Sequence, residues 1–373
     1  SLPGQFVMLR VDLRQDPLLG RPFSIYSVHE YGLYAACSVL YRVVGKMTGL
    51  LSRKVPGDSV YVLGPFGRGF DLSGNFSKAV LVATGGFGRM YRTTSNAYAN
   101  TGDGPAVLAR RGVPLEDMEF FQFHPTGIRG MGILISEAVR GEGGILRNGR
   151  GERFMERYAP TLLDLAPRDM ISRAMVTEMR SGHGVLGNTG GDDYLLLDAT
   201  HLGEEVLARK LPDIRDFCRT YLNLDPVEKP IPVQPTAHYA MGGIPTDLDG
   251  RVVAEADGSL YDGLYAAGEC ACVSVHGANR LGTNSLVDLI VFGRRAGQHM
   301  ARFVRQANLP ACPSDAADYA RGLLDHLHVQ NRSDGHAERL RDSMKDIMMG
   351  AVGIYRRGDA IAEAVRQLRA LRE

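Results

Sequence analysis

Apolar positions in residues 1–77 fall into short runs, PGQFVMLRV, PFSIYSV, GLYAACSVLYRVV and DSVYVLGPF, separated by Gly, Pro and Asp. Runs of this length bounded by turn residues read as strands. Several in series argue for an antiparallel barrel or sandwich. From Lys78 the texture changes. Lys78 to Gly86 is an apolar strand running into glycines, and a helix follows Thr101-Gly102-Asp103-Gly104, carrying Ala106 to Ala109. Leu165-Ala166-Pro167-Arg168-Asp169 precedes a helical run from Met170 to Arg180. A Gly/Asp-rich loop (181–193), a strand from Tyr194 to Asp198 and a mixed helical stretch through Leu222 come next. Gly263 to Gly268 reads as a buried strand ending at Glu269, and Asn284-Ser285 as the cap of an apolar helix from Leu286 to Phe292. The tail from about Cys312 is charged and amphipathic, as in ERLRDSMKDIMMGAVGIYRR.

Some of these positions carry chemistry. A helix N-terminus with free N–H groups favours an anion or a reduced, negatively charged ring. Arg280, five residues before Ser285, offers a planar fork of donors suited to a carboxylate. An ordinary strand–loop–helix with a surface Arg is the plainer alternative. His124, before Pro125, reads most simply as a structural loop residue, since the role of a His depends on its partners. Glu137 and Arg140 stand three apart, so they share a helix face or turn, and a solvated pair accounts for them equally well. Arg168 lies just inside a helix start, where the dipole disfavours a cation. That makes a functional purpose more attractive there.

Composition narrows the classes. The 373 residues allow one large or two to three smaller domains. A net charge of +1 and the lack of a long Lys/Arg run argue against a nucleic-acid partner. The five cysteines, Cys37, Cys218, Cys270, Cys272 and Cys312, are odd in number and scattered, which argues for a reducing compartment and against a disulfide framework. Cys270 and Cys272 have no second pair to complete a metal site, so no metal is expected. No apolar run approaches the roughly 20 residues of a membrane span, and no signal peptide is visible. The 45 glycines suit a backbone that approaches a cofactor closely.

The segments HGANRLGTNSLVDLIVFGRRAG and GLYAAGE resemble the flavin-binding segments of succinate dehydrogenase and fumarate reductase flavoprotein subunits. QFHPTG, ISEAVRGEGG, LAPRD and PTAHYAMGG resemble the same family in the same order, so the likeness runs from about Lys78 to near the C-terminus. It implies an α/β flavoprotein FAD-binding domain (residues 78–127 and 233–311) with an inserted α+β capping domain (128–232) and the start of a C-terminal helical domain (312–373). It further implies FAD held by Gly85, Gly86, Asp103, Glu269, Asn284, Ser285 and Leu286. His124, Ser136, His238 and Arg280 would bind a C4 dicarboxylate, and Arg168 would move a proton relayed by Glu137 and Arg140. The implied reaction is interconversion of succinate and fumarate by hydride transfer at flavin N5. The implied partners are an iron–sulfur subunit and membrane-anchor subunits, and the implied location is cytoplasmic, peripheral on the inner face of the membrane. An L-aspartate-oxidase-like enzyme shares HPT, ISEAVRGEGG and LAPRD and is the alternative; Thr236 before Ala237 and the VDLIVFGRRAG helix favour the dehydrogenase.

Residues 1–77 differ. RPFSIY, VVGKMTGLLS, PGDSV and GPFGRGF resemble the flavin barrel of ferredoxin-reductase-type proteins, most closely the electron-transfer subunit of dihydroorotate dehydrogenase. That likeness implies a small, partial antiparallel β-barrel in which Arg21, Ser24, Gly45 and Thr48 contact flavin. No strand, Gly-rich turn and helix of the dinucleotide-cradling type precedes Gly85. The expectation is therefore weak flavin retention and a fragment or chimera, with a non-catalytic chain as a further alternative.

Overall fold

The computed structural model describes residues 6–11, 21–31, 34–39, 41, 43, 46–66, 78–187, 193–308, 314–315, 317–329 and 336–372. The chain divides into two compact units, Ser1–Lys78 and Ala79–Glu373.

In the first unit, β1 (Phe6–Arg10), β2 (Arg21–Tyr31), β3 (Tyr34–Val39), helix α1 (Lys46–Leu51) and β4 (Tyr61–Phe66) follow the apolar runs of the sequence. The strands pair antiparallel in the order β3-β2-β1-β4. Val7 and Leu9, two apart on β1, are buried with Phe23 and Met47. Closing a barrel requires the edge strands to pair. Among the described residues β3 and β4 do not, so the expected barrel is an open sheet here. Arg21 and Ser24 lie exposed on β2, and Thr48 is half-buried on α1. Gly45, and residues 67–77 with the end of GPFGRGF, lie outside the described residues.

The second unit begins with β5 (Val80–Val82) and α2 (Asp103–Arg110). Next come β6 (Phe121–Ile128), α3 (Ala138–Gly141), β7 (Ile145–Arg147), α4 (Met155–Tyr158), α5 (Arg168–Arg180), β8 (Leu195–Asp198), α6 (Gly203–Lys210), α7 (Pro212–Leu222) and β9 (Ile231–Ala240). The chain continues through β10 (Ile244–Pro245), β11 (Arg251–Val253), β12 (Leu260–Ala266) and β13 (Ala271–Cys272). It ends with α8 (Asn284–Gln306), α9 (Asp318–Val329), α10 (His336–Ala351) and α11 (Gly358–Arg372).

Two sheets matter for the site. In the first, β5 lies parallel to β12, with β11 antiparallel on the far side. This pairing brings the glycines after β5 beside Glu269 after β12, nearly two hundred residues away. The second has the order β6-β9-β8-β7. Leu195 and Leu197 alternate inward on β8, and α5 buries Ile171, Ala174, Met175 and Glu178 at helical spacing against the same core. Pro212 opens α7 and Asn223, in the left-handed conformation, closes it.

Strand β6 is buried along its whole length. Its pairing with β9 shifts between Gln122 and Phe123 and again between His124 and Gly127. Such bulges re-aim side chains beside functional sites. Gly127 is required here, because a Cβ would collide with the Thr236 hydroxyl across the ladder. The C-terminal helices are tied to this part of the molecule: Met348, Met349 and Ile354 pack on Phe87, Tyr91, Phe121 and Phe123, and the Tyr91 hydroxyl donates to the Val352 carbonyl at 3.1 Å.

Two helix starts differ from the sequence expectation. Helix α5 begins at Arg168 rather than Met170, after Pro167, whose backbone is extended. Helix α8 begins at Asn284 and runs to Gln306, and its N-cap is Thr283 with no side-chain cap bond. Asn284-Ser285 is therefore the first turn and not the cap. The cause is a tight turn in which Thr283 takes φ +70° and the Leu286 N–H reaches the Thr283 carbonyl at 2.9 Å. A β-branched residue rarely adopts that conformation. Strain of this kind concentrates at functional sites.

Candidate active site

Gln122 occupies the centre. It is 3% exposed, and its carbonyl oxygen accepts from Arg168 Nη1 at 2.9 Å and from Arg280 Nη2 at 3.3 Å. Its amide donates to Asn279 Oδ1 and to the Arg280 carbonyl, both at 2.7 Å. All of its polar capacity is used, which fixes the spacing of the two guanidiniums. Sequence reasoning assigned no role to Gln122 or Asn279. The signal was present, because Gln122 precedes His124 by two on a strand.

Arg168, Arg280, Arg140 and Glu137 line one cavity of about 350 Å³ together with Asn279 and Gly282. Arg168 Nε donates to Glu137 Oε1 at 2.7 Å, and Arg140 Nη2 donates to the same oxygen at 3.3 Å. The hydrogen bond from Arg168 is the main reason the Glu137 carboxyl titrates below its ordinary range. Arg140 is anchored behind by the Asp164 carbonyl at 2.6 Å. Burial first, and then the charge of Arg168, ease proton loss from Arg280; for Arg140 burial also leads. Nε of Arg140 and Nε of Arg280 are both buried with no partner. An unsatisfied buried guanidinium N–H is costly, and an anionic ligand would satisfy it.

The two predicted histidines meet here, their rings edge to face at 5.6 Å. Arg280 Nη2 donates to His238 Nε2 at 3.2 Å, which leaves the ring proton on Nδ1, 2.9 Å from the Ser95 hydroxyl. Burial, then the charges of Arg168 and Arg280, push His238 down to about 4. His124 is 3% exposed and lies well below its ordinary value, through burial first and then Arg168. Its Nδ1 accepts from the Thr126 backbone N–H at 3.3 Å, which puts its proton on Nε2. Both are thus neutral imidazoles at pH 7. Ser136 is exposed, its hydroxyl accepting from the Ala138 N–H, and does not line this cavity.

A second cavity, about 520 Å³, is lined by Gly85, Ser95, Asn96, His238, Glu269 and Ser285, with Leu81, Ala83, Leu289 and Gly293 as its apolar part. His238 lines this space and is linked to the first through its hydrogen bond from Arg280. Glu269 Oε1 accepts from the Ala240 N–H at 3.0 Å, yet burial pushes the carboxyl up to about 7. A Cβ at Gly86 would collide with that carboxylate, so glycine alone fits there. Gly85, with φ +69°, would similarly meet the Asn100 amide. Four expected contacts do not line this space: Gly86, which packs against Glu269, Asn284, Leu286, which is 59% exposed, and Asp103. Asp103 lies exposed at the start of α2, where the Thr101 hydroxyl donates to it at 2.6 Å.

Glu269 sets a pH signature. Its acid form is favoured in the fold, so the stability it contributes is fully present below about pH 4.5 and is lost as pH rises through about 7. The loss is on the order of 3 kcal/mol. Glu269→Gln is expected to lack that slope, so the difference in stability between wild type and variant should change across this window. Chemical denaturation at several pH values measures it, and parallel curves would refute it.

Comparison with known proteins fits this geometry. The profile of the FAD binding domain family matches residues 60–286. The succinate dehydrogenase flavoprotein subunit of Coxiella burnetii is 46% identical over 301 residues, covering 80% of this chain and 51% of that protein. The fumarate reductase flavoprotein subunit of a Serratia species is 41% identical, covering 80% of this chain and 50% of its own. Among solved structures, E. coli quinol fumarate reductase superposes with a TM-score of 0.70 at 40% identity, over 79% of this chain and 51% of that one. The chain therefore spans about half the length of the relatives it matches.

The residues present fit a flavin. The second cavity combines an apolar side, Gly85 and Gly268 whose backbones can approach a ligand closely, a carboxyl able to hold hydroxyl groups and a helix start without a side-chain cap. The chain belongs to the FAD binding domain family, whose cofactor is FAD, and is similar within it to the flavoprotein subunits of succinate dehydrogenases and fumarate reductases.

Proposed function

We propose that this chain carries the active site of a flavoenzyme that interconverts succinate and fumarate. The single observation that supports this most is the convergence of Arg168, Arg280, Arg140 and Glu137 on one cavity, with the neutral His238 bonded to Arg280 and lining the flavin-fitting space beside it. FAD, when bound, supplies the two-electron chemistry that takes up or delivers hydride. Gly85, Glu269 and Ser285 would hold it. The chain's own groups do the rest. Arg280, held by the His238 ring that accepts from its Nη2, binds one carboxylate, and His124 adds a neutral donor for a carboxylate oxygen. Arg168 moves the proton at the neighbouring carbon, and Glu137 and Arg140 return it from outside. In this reading residues 128–232 act as a capping domain over the FAD-binding parts, 78–127 and 233–311. Arg168 on α5 and Glu137 beside α3 then reach the site from the cap.

The names of the relatives favour the succinate–fumarate pair over the L-aspartate alternative. The same likeness supports an iron–sulfur subunit and membrane-anchor subunits as partners, with attachment to the membrane through them. No helix among the described residues is long and apolar enough to cross a membrane.

The test is anaerobic. Protein with bound FAD should lose its yellow absorption band when succinate is added and regain it with fumarate. Bound flavin that responds to neither compound would defeat the reading.

A further inference from the structure

Beneath the anion cavity lies a buried polar cluster that the chemistry above does not use. Tyr239 on β9, His276 in the loop before Arg280 and Asp288 on α8 meet there. The Tyr239 hydroxyl is 3.4 Å from both Asp288 Oδ2 and His276 Nε2, and His276 Nε2 is 3.1 Å from the same carboxylate oxygen. Asp288 is 7% exposed, in the interior of an amphipathic helix. Aspartate is a poor helix former, and a buried carboxylate is expensive unless hydrogen-bonded. This one is held by two partners, which in turn fix the Tyr239 ring. Above that ring, the Arg280 guanidinium carbon stands 4.3 Å from the centroid. The remaining contacts of Arg280 lie at its Nη atoms: the Leu281 carbonyl, Gln122 and His238. Its Nε has none.

We propose that Tyr239 is a positioning residue for Arg280: its ring, pinned through the hydroxyl by Asp288 and His276, is the platform that fixes the guanidinium plane in the dicarboxylate site. A cation over an aromatic face is attracted by the ring quadrupole, more strongly where water is excluded. The ring supports the guanidinium without consuming any of its donors. Burial, then the charge of Asp288, favours the protonated hydroxyl, consistent with its role as a donor. The platform also links two parts of the site, because Asp288 belongs to the helix whose first turn, through Ser285, lines the flavin-fitting cavity. The inference rests on the dicarboxylate reading of the anion cavity.

The test compares wild type, Tyr239→Phe, Tyr239→Leu, Asp288→Asn and the Tyr239→Phe/Asp288→Asn double variant. Fumarate affinity is read by calorimetry on the full chain with FAD added, and thermal stability is read in parallel. Tyr239→Leu should bind fumarate about 10-fold more weakly, the scale of a desolvated cation–π contact. Tyr239→Phe keeps the ring face and should stay within about threefold of wild type. Asp288→Asn should add little on the Phe background, because both changes break one link. In steady-state rates the loss should appear in KM and not in kcat. Tyr239→Leu with wild-type affinity would overturn the proposal. So would equal losses in the Phe and Leu variants, or additive losses in the double variant. Lower melting temperatures with unchanged fumarate affinity would reduce the cluster to a packing role. Failure of the wild type to bind fumarate is a different result: it removes the dicarboxylate reading itself, and the platform with it.

Discussion

Arg168→Lys is expected to lower turnover by about 10²–10⁴-fold, the range of a lost general acid–base group, while fumarate affinity stays within about threefold of wild type. The geometry separates the two effects. Arg168 uses Nε toward Glu137 at 2.7 Å and Nη1 toward Gln122 at 2.9 Å, so its fork spans two acceptors, one at the start of α3 and one on β6. A lysine keeps the positive charge in the cavity, and with it most of the attraction for a dicarboxylate. It cannot span both acceptors from one nitrogen, and so loses either the relay or the fixed aim. Glu137 registers the change independently, since the hydrogen bond from Arg168 is what chiefly lowers its titration. In the lysine variant that carboxyl should move back toward its ordinary value. Single-turnover reduction of bound flavin by succinate gives the rate, and a fumarate titration of the flavin spectrum gives the affinity. Equal losses in both would show that Arg168 is a binding residue and nothing more.

How much of this could be read from the chain depends on whether a feature is local. The strand before Gly85 and helix α5 after LAPRD were legible because each is set by its own residues and turns, whereas QFHPTG and PTAHYAMGG carried no strand pattern, and His124, read as a loop residue, lies on the buried strand β6. The meeting of His124, His238, Arg168 and Arg280 followed from the resemblance and not from spacing, since it requires β6, β9, α5 and the loop before α8 to converge. The start of α8 was misread for a local reason. Asn and Ser are good caps, but the turn at Thr283 adopts a left-handed conformation that no propensity rule would assign to a β-branched residue. Gln122 was overlooked because an amide has no charge or titration to draw notice, although its four contacts organise the site. The cluster of Tyr239, His276 and Asp288 was illegible in principle, since its members lie on three separate elements and each alone looks like core. Alternating apolar runs in residues 1–77 gave the strands of the first unit, but strand patterning carries no information on whether the outer strands close.

Arg280→Lys should have the opposite profile to the first substitution. Fumarate or malonate binding is expected to weaken by about 2–4 kcal/mol, the cost of breaking a buried, hydrogen-bonded charge pair, which is roughly 30- to 1000-fold in affinity. Arg280 is 4% exposed, its plane is held by the Tyr239 face and three acceptors, and its Nε is buried without a partner. A carboxylate that meets two nitrogens of the guanidinium makes two parallel bonds to one rigid group. Lysine offers a single flexible nitrogen, must give up the contacts to Gln122 and His238, and stacks less well on the tyrosine ring. Because Arg168, Glu137 and Arg140 are untouched, the rate at saturating substrate should fall far less than in Arg168→Lys. His238 adds a check: the charge of Arg280 helps hold its ring near 4, and a lysine keeps that charge, so the imidazole should remain neutral at pH 7. Affinity that survives the change, or a saturating rate that collapses with it, would reverse the assignment and make Arg280 part of the proton path.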